Sequence, residues 1–368
     1  MNTVMGIINL QEDDSLVREM TARRPVATIP FAGRYRLIDF CLSNMVNSGI
    51  EHVGIMLPLK SRSVLDHVRS GKDWDLARRH DGLFYLPAPQ VAYGTREGDL
   101  KSFYRHLDFI EHSSHRYVLL AGSQVVFNMN FEHMLRFHQN TGADISLIYN
   151  VQQEESPVQG TVLETAENGL VKDIAQQPVV YEDAKLSMGI YLMERKLFID
   201  LVKHAFEHGG NDFLVDGIMR QHGKYTMYAM EHTGYTAHIN SMASYYKASM
   251  DILKPEIRED IFHRDFSVYT KSKDESPVQY KKEAKAQNSL IANGCIIEGS
   301  VENSILFRGV KVGPGVHVKN SIIMQKCELQ EDALIENVIC DKNVVITQGK
   351  WLKGASNYPL VVEKNVVI

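Results

Sequence analysis

A run of acids follows the first apolar segment of this chain, where phosphate chemistry would need the opposite. Val4–Leu10 (VMGIINL) has the length and hydrophobicity of a strand and leads directly into Gln11-Glu12-Asp13-Asp14-Ser15. A phosphate-handling turn at that place needs glycine, so that backbone N–H groups can reach the oxygens, and basic side chains to offset the charge. No glycine occurs between Gly6 and Gly33, and three consecutive carboxylates repel a polyphosphate. Basic residues come later: Arg23-Arg24 before Pro25, which reads as a solvated pair, then Arg34 and Arg36. A second strand of buried character, Tyr117–Leu120 (YVLL), runs into Ala121-Gly122-Ser123-Gln124. Neither Ser123 nor Gln124 is an acid. His238 could ligate a metal, but Mg²⁺ prefers carboxylate and water oxygens, so a packing or hydrogen-bonding role suits it better.

The elements that must position these residues are legible from periodicity. In Pro30–Gly49 (PFAGRYRLIDFCLSNMVNSG), Leu37, Phe40, Cys41 and Met45 fall on one helical stripe, and Gly49 is placed to close the helix. His52–Leu57 reads as the strand that follows, Arg62–Ser70 as an exposed helix, Tyr85–Tyr93 as a proline-punctuated loop and Leu100–Ile110 as a helix. Phe131–Gln139 and Arg195–Phe206 are helices; Asp144–Val151, Gly160–Glu164, Leu170–Asp173 and Tyr225–Met230 are strands, and Ser244–Leu253 is the last helix of the domain. Ser187-Met188-Gly189-Ile190-Tyr191 is either a pocket strand or a core strand whose glycine permits close backbone approach.

Beyond Asn288 the texture changes to a period of six: Val310, Val316, Ile322; Val312, Val318; Leu329, Ile335; Val338, Val344; Cys340, Ile346. Gly, Asn and Asp fall between them, the pattern of a β-solenoid whose rungs bury branched residues and stabilise one another. The expected layout is an α/β domain over 1–255, a polar linker over 256–287 and a solenoid over 288–368, with the apolar Leu360–Ile368 as a final strand and assembly surface.

Composition excludes several classes. The chain has 368 residues, 44% hydrophobic and 23% charged, with a formal charge of −5, which gives no reason to expect nucleic acid or an acidic membrane as partner. Cys41, Cys295, Cys327 and Cys340 show neither CxxC nor metal spacing and suit a reducing compartment. Met1–Leu10 lacks the features of a signal peptide, and no stretch has the length of a membrane span, so a soluble, cytoplasmic protein is expected.

Pro30-Phe31, Gly33, Tyr35-Arg36, Ile38-Asp39-Phe40, Leu42-Ser43-Asn44 and Asn47-Ser48-Gly49 resemble sugar-nucleotide pyrophosphorylases, specifically ADP-glucose pyrophosphorylase (glucose-1-phosphate adenylyltransferase). The likeness runs through Tyr93-Gly94-Thr95, Ser187-Met188-Gly189, Asn211-Asp212-Phe213 and the SYYKASMDIL helix. It implies a Rossmann-like nucleotidyltransferase domain followed by a left-handed parallel β-helix of hexapeptide repeats. It also implies losses. The family's glycine- and arginine-bearing first loop is missing. Its metal-holding aspartates are replaced at Ser123 and His238, its phosphate-contacting lysine at Gln177, and Arg24 stands where a lysine is expected. Gly94, Thr95, Ser187, Met188 and Gly189 remain as a vestigial substrate or effector pocket, with no catalytic residue, no metal ligand and no cofactor expected.

Three functions compete. The first, ranked well ahead, is the divergent regulatory (GlgD-type) subunit, assembling with a catalytic ADP-glucose pyrophosphorylase subunit into a mixed tetramer. The second is an active nucleotidyltransferase with substitute groups, the only reading that would call for Mg²⁺. Losing even one electrostatic contributor at such a site costs roughly 10²–10³ in rate. The third is a solenoid acyltransferase using His317, which reads instead as a solvated turn residue.

Overall fold

The computed structural model describes residue 1 and residues 3–88, 98–263 and 265–368. Two compact units draw on interleaved segments: Met1–Glu12, Phe40–Thr236 and Arg264–Tyr269 form the first, and Asp13–Asp39, Ala237–His263 and Thr270–Ile368 the second.

The first unit is an α/β layer structure. Its parallel strands are β1 (Val4–Asn9), β2 (His52–Met56), β3 (Gly82–Leu86) and β4 (Tyr117–Ala121), in spatial order β4-β1-β2-β3. β5 (Ile145–Val151), β6 (Gly160–Thr165), β7 (Val171–Gln177), β8 (Lys185–Glu194) and β9 (Met227–Glu231) complete a mixed nine-stranded sheet. β8 is the pivot, antiparallel to β4, β5 and β6. Alternation along β1 splits its residues between two faces. Met5 and Ile7 join Phe103, Phe198 and Val202 in one core beneath the helices Leu100–Arg105 and Arg195–Glu207. On the other face Gly6 lies under α1 (Leu37–Asn47), where an added Cβ would stand 2.6 Å from Met45 Sδ. The expected α1 stripe of Leu37, Phe40, Cys41 and Met45 is wholly buried, and Gly49 closes the helix at φ +74. The helix expected over 100–110 is two, Leu100–Arg105 and Leu107–Glu111, broken at His106.

The second unit contains a left-handed parallel β-helix of three five-stranded sheets. Val301, Val318, Ile335 and Leu352 stack in register on one wall, and Ile297, Val312, Leu329 and Ile346 on another. Each corner needs left-handed backbone, which Gly, Asn and Asp adopt at least cost. One corner is Asn288, Asn303, Asn320 and Asn337, another Gly315, Asp332 and Gly349. Side-chain ladders pin these corners. Asn288 Nδ2 donates to Asn303 Oδ1 at 2.8 Å and Asn303 Nδ2 to Asn320 Oδ1 at 2.7 Å. The hydroxyls of Ser289, Ser304 and Ser321 accept from the N–H of Ser304, Ser321 and Val338.

The segment 256–287, read as linker, carries the helix Pro255–Ile261 and the first solenoid strands Gln279–Tyr280 and Lys285–Gln287. Both strands are exposed on every residue, so no apolar period announces them. The final strand stops at Val362 rather than running to Ile368. His317 lies on a strand, not a turn, and its Nδ1 sits 2.5 Å from Ser300 Oγ on the preceding rung.

Candidate functional site

Because β1, β2 and β4 are parallel neighbours, their carboxyl ends share one edge of the sheet, the edge where open α/β sheets bind ligands. The chain leaving β1 folds its own side chains into that edge. Glu12 Oε1 accepts from the backbone N–H of Gln124 at 2.8 Å and from that of Ser123, while Oε2 accepts the Ser123 hydroxyl at 2.5 Å. Glycine at 122 permits this approach, since a Cβ there would lie 2.7 Å from Glu12 Oε1. Gln11 adds a second tie, donating to Ser102 Oγ at 2.6 Å and to the Leu57 carbonyl at 3.3 Å. Paired backbone N–H groups at a strand exit are what an incoming anionic oxygen would use. Here a side chain of the same protein holds them. The expected repulsion from three adjacent acids is therefore narrowed to one, Glu12, which points inward.

Enclosure pushes the Glu12 carboxyl up to about 7, against the lowering effect of its bonds to Ser123 and Gln124. A second acid shares the edge. Asp99 accepts from Asn9 Nδ2 at 2.6 Å and from the Phe213 N–H at 2.8 Å. Burial, with some repulsion from Asp212, raises it to about 6. Asp212 caps the following turn, accepting from the Val215 N–H at 2.9 Å.

The side chains at 121–124 do not fit Mg²⁺. They are neutral, Ser123 is fully buried, and both oxygens of the nearby Glu12 carboxylate are taken by protein donors. His238 belongs to the second unit, where desolvation lowers its pKa to about 4 and keeps the imidazole neutral. Gln177 ends β7 opposite Gly160, and its neighbour Gln176 accepts from Gln159 Nε2 at 2.9 Å, an uncharged arrangement. Gly94 and Thr95 lie outside the described residues.

Pairing of Tyr191 with Leu120 carries Ser187, Met188 and Gly189 alongside the chain that leaves β4. The β8–β5 register breaks between Ser187 and Tyr191, with Gly189 at φ +68. Among the described residues, no atom beyond Gly189 and its two chain neighbours lies within 4 Å of a Cβ built there. Glycine is needed there for its backbone angle, not for the close approach expected from the sequence.

A contrasting cluster, which sequence reading missed, stands in the second unit. Arg24 is not solvated: it is 7% exposed, forms a buried ion pair with Asp341, and donates from Nε to the Met20 carbonyl at 2.7 Å. Beside it Lys342 is pushed down to about 7, by burial first and then by the charges of Arg36 and Arg24, with Lys273 adding less. Arg308 is lowered by burial and by Arg34, and Lys273 by burial, Arg308 and Arg36. Such a crowd of cations is relieved by an anion. No local signal could join positions 24, 36, 273, 308 and 342; only the fold does.

Comparison with known proteins settles the family. The nucleotidyl transferase family model matches residues 16–255, and the GlmU-like C-terminal hexapeptide model matches residues 276–353. The chain is 37% identical over 367 residues to the glycogen biosynthesis protein GlgD of Bacillus subtilis (strain 168), covering all of this chain and 97% of that one. The chain belongs to the nucleotidyl transferase family, on its GlgD branch. The GlgD protein of Geobacillus stearothermophilus is likewise 37% identical over the whole chain. Glucose-1-phosphate adenylyltransferase of the same organism is 33% identical over 314 residues, 83% of this chain and 80% of that protein. The present chain is thus a glycogen biosynthesis protein related to ADP-glucose pyrophosphorylase.

Proposed function

We propose that this GlgD-branch chain is a regulatory subunit, non-catalytic or weakly active by itself, of glucose-1-phosphate adenylyltransferase in glycogen synthesis. It assembles with the catalytic subunit, as a mixed tetramer in the cytoplasm, and modulates the conversion of ATP and glucose 1-phosphate to ADP-glucose and diphosphate. The observation that carries this reading is the Glu12 carboxylate seated on the Ser123 and Gln124 donors. An edge that must receive a polyanion with its cation instead presents Glu12 and Asp99. Among the described residues no helix is long and apolar enough to cross a membrane, which agrees with action beside a glycogen-synthesising enzyme.

Modulation is a coupling free energy. The subunit binds the active conformation of its partner more tightly than the resting one and so shifts the population. Pyrophosphate release from ATP and glucose 1-phosphate tests the proposal. This chain alone should release almost none, and adding it to the catalytic homologue should raise turnover above the homologue's own. Vigorous release by the isolated chain defeats the reading.

A further inference from the structure

The amino-terminal edge of the same sheet holds a cluster that nucleotidyl transfer has no use for. His52 is the first residue of β2, Asp81 immediately precedes β3, and His115 lies two residues before β4. Parallel pairing brings these strand starts to one edge, a full strand length, about 16 Å, from the edge that holds Glu12. His52 Nδ1 is 3.1 Å from Asp81 Oδ1, and His115 Nε2 is 4.0 Å from the same oxygen. One ligand atom from each of the three residues lies within 4.8 Å of the others.

We propose that His52, Asp81 and His115 bind a divalent transition metal of the zinc type. Tetrahedral Zn²⁺ with bonds of about 2.0–2.1 Å sets its ligand atoms roughly 3.3–3.5 Å apart, so closure asks for movements under about 1 Å. Both ring nitrogens of His52 are sealed from solvent; Nδ1 faces the Asp81 carboxylate, and Nε2 has no hydrogen-bond partner among the described residues. A buried ring nitrogen left without a partner calls for an explanation. The His115 ring is held from behind: its Nδ1 lies 2.9 Å from Ser113 Oγ, which leaves Nε2 facing Asp81. An oxygen partner on the rear nitrogen is the usual support of a metal-bound imidazole.

The turn itself is clamped by Arg195, which donates to the carbonyls of His115, Ile110 and Glu111. Phe109 stacks on His52 with ring centroids 5.1 Å apart, Phe84 packs at 5.0 Å, and the two imidazoles stack at 5.0 Å. The Asp81 side chain is 43% exposed, which opens a fourth position to water. Two imidazoles and one carboxylate favour Zn²⁺, Co²⁺ or Ni²⁺ over the hard Mg²⁺ and Ca²⁺.

The test uses the full chain stripped with a chelator and titrated with Zn²⁺ against a chromophoric competitor, then with Co²⁺ for its visible spectrum. One equivalent should bind, with tetrahedral Co²⁺ bands but no thiolate charge-transfer band, since the four cysteines are elsewhere and buried. Asp81→Asn and His115→Ala should each weaken binding more than tenfold, and Ser113→Ala about tenfold. Asp81→Asn alters an exposed side chain and keeps the test meaningful if a histidine variant fails to fold. Absence of stoichiometric binding, or binding that survives both Asp81→Asn and His115→Ala, overturns the proposal.

Discussion

The carboxyl edge of the sheet and the cation cluster of the solenoid unit are chemical opposites built by the same device. At the sheet edge, enclosure lifts two acids, Glu12 to about 7 and Asp99 to about 6. In the solenoid unit, enclosure and mutual repulsion press Lys342 down to about 7. Each region pays for its charge by desolvation, and each holds a group poised near neutrality. The lesson is that one fold can enclose acids at one place and cations at another. The buried strands β1 and β4 pair in parallel, and the side chains at their exits satisfy one another.

Cutting the buried ion pair should give the largest effect. Arg24→Ala strands the buried Asp341 carboxylate and should cost about 3–5 kcal/mol in urea unfolding. Loss under 1 kcal/mol would place that pair among weak surface contacts and dissolve the contrast.

Glu12→Gln comes next. The raised folded-state pKa means that the native state binds the proton more tightly, so wild-type stability is fullest below about 4.5 and declines as pH rises through about 7. Glutamine keeps an acceptor for the two N–H donors and never ionises. The variant should be more stable than wild type by about 2 kcal/mol at pH 8, with the gap closing by pH 5; Asp99 leaves a smaller slope in both. An equal gap at both pH values would mean that Glu12 does not titrate as described.

Asn320→Ala should cost about 1 kcal/mol of thermal stability, from the lost ladder bond to Asn303 and an alanine forced to φ +47. An unchanged melting temperature would show the corner to be slack. Smallest is Ser123→Asp, which should add no pyrophosphate release, because the new carboxylate would face Glu12 and the acidic run Glu12-Asp13-Asp14 would still follow β1. Recovered activity from that single change would mean that the sheet edge is one residue from catalysis.

Much of the architecture was legible from periodic burial. The α1 stripe and every branched residue in the six-residue period are inside, because apolar spacing and backbone repeat are the same information. What escaped was long-range and polar. The rung strands at 279–280 and 285–287 face solvent and carry no period. Arg24 looked solvated because Asp341, its partner, is 317 positions away. The acidic run after β1 could be read, but not the inward turn of Glu12, since a glutamate in an acidic run usually faces water. His52, Asp81 and His115 are separated by whole strands and helices and meet only through parallel pairing.

The solenoid ladders recur every seventeen residues at Asn303–Asn320 and Ser304–Ser321, but every fifteen at the preceding step and twenty-two at Asn343–Asn365. Surplus length is parked in the bend between Lys353 and Leu360, where Tyr358 stands 61% exposed and no strand runs. That bend is a natural splice point: a fluorescent reporter or affinity tag inserted there would leave every rung in step with its neighbours.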